Sequence, residues 1–150
     1  MQIFEIKNQK EFTNKLFIDD VFDNFLLVEA VFVKDYSVSI DGHKADELEG
    51  DEYILWKDAK SMAFAAIKGS TLPKSFKIVL KLSSANAIKT MKSLDIGEGV
   101  SASFYINIKY FDGVITVTSG TSTASFLLSK DLEKGWDHLL EKFLILKGLF

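Results

Sequence analysis

The stretch around Asp112-Gly113 constrains the fold of this chain more than any other. On its N-terminal side Ala102, Phe104, Ile106, Ile108 and Tyr110 alternate with Ser103, Tyr105, Asn107 and Lys109. That is the period of a strand with one buried and one wet face. Asp-Gly suits a type I′ turn, whose two central residues both need positive φ. A two-residue turn there pairs Ile108 with Val117 and Tyr110 with Ile115, and sets Asn107 opposite Thr118 and Lys109 opposite Thr116. Apolar meets apolar and polar meets polar. A slip of one residue would turn every side chain to the wrong face, so the register is specified. Thr121–Leu128 reads as a further strand.

The rest of the chain supplies more strands and several helices. Gln2–Ile6 reads as a short strand, and Asn8 as an N-cap with Glu11 at the capping-box position. A helix from Gln9 to about Ile18 follows, with Phe12 and Leu16 on one face. Phe25–Val33 and Tyr36–Ile40 form a hairpin around Lys34-Asp35, ending at Asp41-Gly42. Tyr53–Lys68 reads as a helix burying Trp56, Ala59 and Ala63, with Gly69 just past its end. Ser75–Ser83 alternates cleanly through Phe76, Ile78, Leu80 and Leu82. Ser84 then caps a helix whose stripe is Ile88, Met91 and Leu94. Ser129 or Asp131 caps a last helix to about Lys147, with Leu132, Trp136, Leu139, Phe143 and Leu146 in one stripe. Leu140, Leu144 and Ile145 widen that stripe. Burial within one domain is the expected reason, and contact with a second copy is the alternative.

The order of these elements repeats. Strand, helix and hairpin occur in roughly 1–42 and again in 75–128, with an inserted helix between them and a C-terminal helix over 130–148. Ile6 and Leu82, Asn8 and Ser84, and Phe12 and Ile88 are each 76 residues apart. The expectation is a single α+β domain over residues 1–150, with two strand–helix–strands units sharing an antiparallel sheet. The stretches FLLVEA (Phe25–Ala30), SFKIVLKLS (Ser75–Ser83), TVTSGTSTASF (Thr116–Phe126) and WDHLLEKFL (Trp136–Leu144) resemble a family of short uncharacterised proteins from anaerobic Gram-positive bacteria. That resemblance implies no catalytic residue. The doubled element order also resembles a DNA sliding clamp domain, the processivity-factor fold. The clamp resemblance implies that the two short helices face a duplex and that lysines on them touch phosphates without reading bases. Lys10 and Lys15 on the first helix and Lys89 and Lys92 on the second are the candidates.

Composition removes several kinds of chemistry. The chain of 150 residues has no Cys, which excludes thiolate nucleophiles, thiolate zinc sites and disulfides. Every one of its 18 basic residues is Lys, so the bidentate grip of a guanidinium on phosphate or guanine is missing. Genomic base composition is the plain explanation, because Ile and Phe are abundant too. A net charge of −3 favours neither bulk nucleic-acid binding nor a membrane surface. The N-terminal ten residues lack the apolar core of a signal peptide, so a cytoplasmic location is expected.

Candidate chemistry is sparse. Asp19, Asp20 and Asp23 read as a solvated turn, since no hard-cation spacing is met. The acidic segment Asp41–Glu52 fails the EF-hand pattern, because a central Gly50 would put Ala45 first and Trp56 last. Gly120-Thr121-Ser122-Thr123-Ala124 approaches a nucleophile elbow, with Asp131 and His138 following in hydrolase order. An elbow needs a strand-to-helix turn, however, and Ser122 falls within strand sequence. Gly97-Glu98-Gly99 is part of no phosphate loop. Trp56 and Trp136 fit the core stripes of their helices. The expected function is therefore binding without catalysis, with no cofactor, no metal and no membrane. Three readings remain: a clamp-like module holding nucleic acid or a replication or repair protein; a small-molecule-binding or hydrolytic enzyme near the Thr/Ser-rich strands; and a self-associating module using Phe143–Phe150.

Overall fold

The computed structural model describes residues 1–44, 50–69, 72–96 and 100–150. Its elements run β1 (Ile3–Ile6), α1 (Gln9–Phe17), β2 (Leu26–Val33), β3 (Ser37–Asp41), α2 (Trp56–Ile67), β4 (Ser75–Lys81), α3 (Ser84–Ser93), β5 (Ala102–Phe111), β6 (Val114–Thr123) and α4 (Ser129–Leu146). A 3-10 turn, Phe126–Leu128, leads into α4. The architecture is α+β. All six strands join one antiparallel sheet in the order β1-β6-β5-β4-β2-β3.

The β5–β6 hairpin has the expected register, with Ile108 opposite Val117, Tyr110 opposite Ile115 and Asn107 opposite Thr118. Asp112 and Gly113 have φ of 51° and 78°, as the turn requires. The ladder runs on to Ala102 opposite Thr123. The separate strand expected over Thr121–Leu128 is therefore absent. Its first half is the end of β6, held by the unusual length of β5, and its last residues coil into the 3-10 turn.

Strand alternation sorts the sheet into two faces. Phe4, Val117, Ile108, Ile78, Ala30 and Ile40 form one continuous row across all six strands. The first five are 1% exposed or less. The next row, Ile3, Thr118, Asn107, Val79, Glu29 and Asp41, points the other way. All four helices cover the apolar face. Phe17 of α1 meets Phe32 and Phe76, and Phe17 also meets Trp56 of α2. Ala87 of α3 joins the same core, and Trp136 of α4 packs on Phe104. Sheet and helices thus make two layers around one apolar interior.

Local chemistry sets the helix ends. The Asn8 side chain accepts from the Glu11 N–H at 3.1 Å and its amide donates back to the Glu11 carboxylate at 3.2 Å. The second short helix starts one residue earlier than expected. Ser83, not Ser84, is its N-cap, accepting from the Asn86 N–H at 3.3 Å. Ser84 instead donates through N and Oγ to Asp51, at 3.0 and 2.5 Å. Its buried anchor is accordingly Ala87, while Ile88 is 51% exposed. Helix α2 begins at Trp56 and not at Tyr53, because Tyr53 and Leu55 form bridges with His43 and Leu26. Neither Ser129 nor Asp131 caps α4: Leu128 holds the N-cap position without a side-chain bond, and Asp131 lies in the first turn. The predicted α4 stripe holds at Leu132 and Trp136 and then drifts to Leu140 and Leu144, which leaves Leu146 74% exposed.

The order strand, helix, strand occurs twice. Ile6 and Lys81 end strands, Asn8 and Ser83 cap helices, and Phe12 and Ala87 anchor them, each pair now 75 residues apart. Strand pairing does not repeat, however. β4 pairs with β5, the strand after its helix, whereas β1 pairs with β6 at the far end of the chain.

Candidate functional site

A groove of about 330 Å³ runs between α3 and α4. Its floor reaches the core at Leu82, Ile106 and Leu140, and its α4 wall is Trp136, Leu139 and Phe143. The wall opposite is polar: Asn86, Lys89, Thr90 and Ser93. Those four sit at i, i+3, i+4 and i+7, the spacing of a single helix face. A helix packed tightly against α4 would carry apolar residues there. Helix α3 instead turns its polar face to an apolar stripe, and the two helices leave a gap.

The groove is held open by fixed neighbours. The Trp136 indole N–H donates to the Tyr105 carbonyl at 2.9 Å, which sets the ring's orientation. Phe143 meets Phe22 and Phe25 edge-on, both at 5.8 Å between ring centres. Near the other end Leu94 lies against Gly135, where a Cβ would come within 2.7 Å of the leucine methyl carbon. The chain comes close to α4 there, at the C-cap of α3. Nothing in the sequence alone marked Asn86, Thr90 or Ser93. Their helical spacing was visible, but not the identity of the element they face.

The four candidate lysines are not brought into one cluster. Lys15 pairs with Glu11 at 3.2 Å and donates to the Lys147 carbonyl, which ties α1 to the end of α4. Lys10, Lys89 and Lys92 are exposed. Helices α1 and α3 do share a sheet face, but α1 packs on α2 whereas α3 borders α4. Only Lys89 lines the groove.

The hydrolase arrangement is not assembled. Ser119 is buried and donates to Asp137 of α4, so it faces the helices. Alternation then puts Ser122 on the opposite face, across from Ser103. His138 is exposed on the helical layer. The sheet itself therefore separates the two side chains. Trp56 is fully buried and belongs to the core.

The open sheet face carries a second polar group of residues. Lys81 Nζ lies 5.4 Å from the Tyr53 ring centre and 5.9 Å from that of Tyr105. His43 meets the Tyr53 ring edge-on at 5.7 Å and approaches Glu52 at 3.9 Å. Desolvation by burial raises the Tyr53 pKa above its ordinary value, with Glu52, Tyr105 and Asp41 adding to the shift. Of the acidic turn, Asp23 is engaged by Lys60 at 2.5 Å, and Lys60 also donates to the Asp19 carbonyl at 2.8 Å. Asp46, Glu47 and Glu49 of the acidic segment, and Gly97-Glu98-Gly99, lie outside the described residues. Among the described residues no group of three His, Asp or Glu side chains converges on a metal position, and no helix is long and apolar enough to cross a membrane.

Comparison with known proteins adds a family. A profile of the family of unknown function DUF5721 matches residues 15–149. The chain belongs to that family. The DUF5721 match spans α1 from Lys15 onward and every later element, so both walls of the groove fall inside it. No curated protein and no solved structure matches the chain.

Proposed function

We propose that this DUF5721 protein is a non-catalytic binding module whose ligand lies in the groove between α3 and α4. The observation that carries this reading is the polar face of α3 turned toward the apolar stripe of α4. Tightly packed helices interdigitate apolar ridges. A gap lined on one side by Trp136, Leu139 and Phe143 exposes apolar surface that a ligand would remove from water. Its volume falls at the low end of the range for small-molecule sites, about 300–1,000 Å³. A mostly apolar lining with a few polar groups on one side is the usual composition of such sites.

The test uses the indole N–H signals of Trp136 and Trp56 in a nitrogen-15 NMR spectrum. Added decanol should move the Trp136 signal and leave Trp56, on the core side of α2, in place. Thr90→Trp, which fills the groove from the α3 wall, should abolish the shift. Decanol that moves neither indole, or moves both alike, refutes the reading.

A second reading keeps the clamp-like element order and a nucleic-acid partner. It draws on the exposure of Lys10, Lys89 and Lys92 and on the common sheet face of α1 and α3. It requires duplex DNA affinity that falls steeply with salt and flattens when these lysines are changed to Gln. Affinity that is absent at low salt, or that ignores those changes, removes it.

A further inference from the structure

We infer that the groove selects a single-chain amphiphile with an anionic head, held at Lys89 and running its alkyl chain toward Phe143. The inference rests on the groove reading above and names its ligand class. Charge decides the head group. Helix α3 contains Lys89 and Lys92 and no carboxylate. Asp51 is bonded at Ser84, at the start of α3, and no carboxylate is among the residues that line the groove. Across the groove, the α4 carboxylate of Asp137 points away toward β6, where it accepts from Ser119 and the N-terminal amine. Among the described residues that line the groove, Lys89 is therefore the one charged side chain.

Lys89 is suited to the task. It lines the groove and makes no ion pair among the described residues. A lysine at an apolar margin lays its methylene stem along the surface and presents the ammonium at the mouth. Asn86, one turn before Lys89, and Thr90, next to it on the same wall, supply further hydrogen-bonding groups for carboxylate oxygens. An ion pair beside an apolar wall is less screened than one in open water. The alkyl chain then lies along the α4 wall formed by Trp136, Leu139 and Phe143.

Decanoate and decanol, both below their aggregation limits, separate this inference from the groove reading. Binding is followed by the Trp136 indole signal. Decanoate should bind about tenfold tighter than decanol, the size of a partly desolvated charge-assisted contact. Lys89→Gln should bring decanoate to within about twofold of decanol, both measured on the variant. Lys89→Glu should reverse the preference, so that decylammonium binds and decanoate does not. From octanoate to decanoate, affinity should rise about fourfold per methylene, as burial of each CH₂ requires. Equal binding of decanoate and decanol to the unmodified protein overturns the anionic-head inference and leaves the groove. A preference that survives Lys89→Gln overturns the role of Lys89. Failure of both probes overturns the groove reading itself.

Discussion

Trp56→Phe should remove about a third of the folding stability, and the structure says why. Trp56 is fully buried, and its indole N–H donates to the Leu16 carbonyl at 2.8 Å. Leu16 lies in the last turn of α1, where the carbonyls have no following helical N–H to accept from. Trp56 is therefore the cap of a neighbouring helix as well as a core residue. Phenylalanine keeps an aromatic ring beside Phe17, at 5.9 Å in the parent, but has no donor. A buried carbonyl left unpaired costs about 1–3 kcal/mol. The smaller ring leaves a void, and part of the usual large-to-small penalty adds about 1–2 kcal/mol. The sum, about 2–5 kcal/mol, is large against the 5–15 kcal/mol typical of a folded domain. Urea denaturation followed by far-ultraviolet circular dichroism measures it. The midpoint should fall and the slope should stay constant, since the surface exposed on unfolding is unchanged. A loss below about 1 kcal/mol would show that α1 does not depend on this bond and that the capping argument is wrong.

Two further outcomes follow from backbone and charge. Gly42→Ala should fail to fold or lose more than about 4 kcal/mol, because a Cβ there would stand 1.7 Å from the Leu27 carbonyl oxygen, where the β2 register shifts. Gly120→Ala is the contrast, with its Cβ at 3.4 Å or more from its neighbours, and thermal unfolding should show a change within about 0.5 kcal/mol. Tyr53 should ionise above the ordinary tyrosine value, as read by the difference in tyrosinate absorbance between the parent and Tyr53→Phe. Its folded pKa is raised, so the unfolded chain loses this proton first and stability should decline above about pH 10, a decline that Tyr53→Phe removes.

Much of the fold was legible because it is local. The alternation from Ala102 to Tyr110 and the Asp112-Gly113 turn specified a register that the sheet reproduces pair by pair. Asn8 and Glu11 marked the start of α1 for the same reason, since a cap involves residues three apart. The misplacements have physical causes too. Ser83 and Ser84 are chemically equal as caps, and Asp51, far away in sequence, engages Ser84 and leaves Ser83 to the helix. Leu146 fits a stripe drawn on the sequence, but the stripe drifts along an 18-residue helix and leaves it in solvent.

Periodicity by itself determined which side of each element is apolar, and with it the α+β class. The tertiary structure alone decided which elements meet. The order β1-β6-β5-β4-β2-β3 sets the first strand against the last, a pairing that no local pattern announces. The groove is the same kind of fact. Asn86, Lys89, Thr90 and Ser93 are an unremarkable wet helix face until α4 is laid opposite them. A residue's period reports its own face to water or core, whereas a binding surface depends on what another, distant segment presents across the gap.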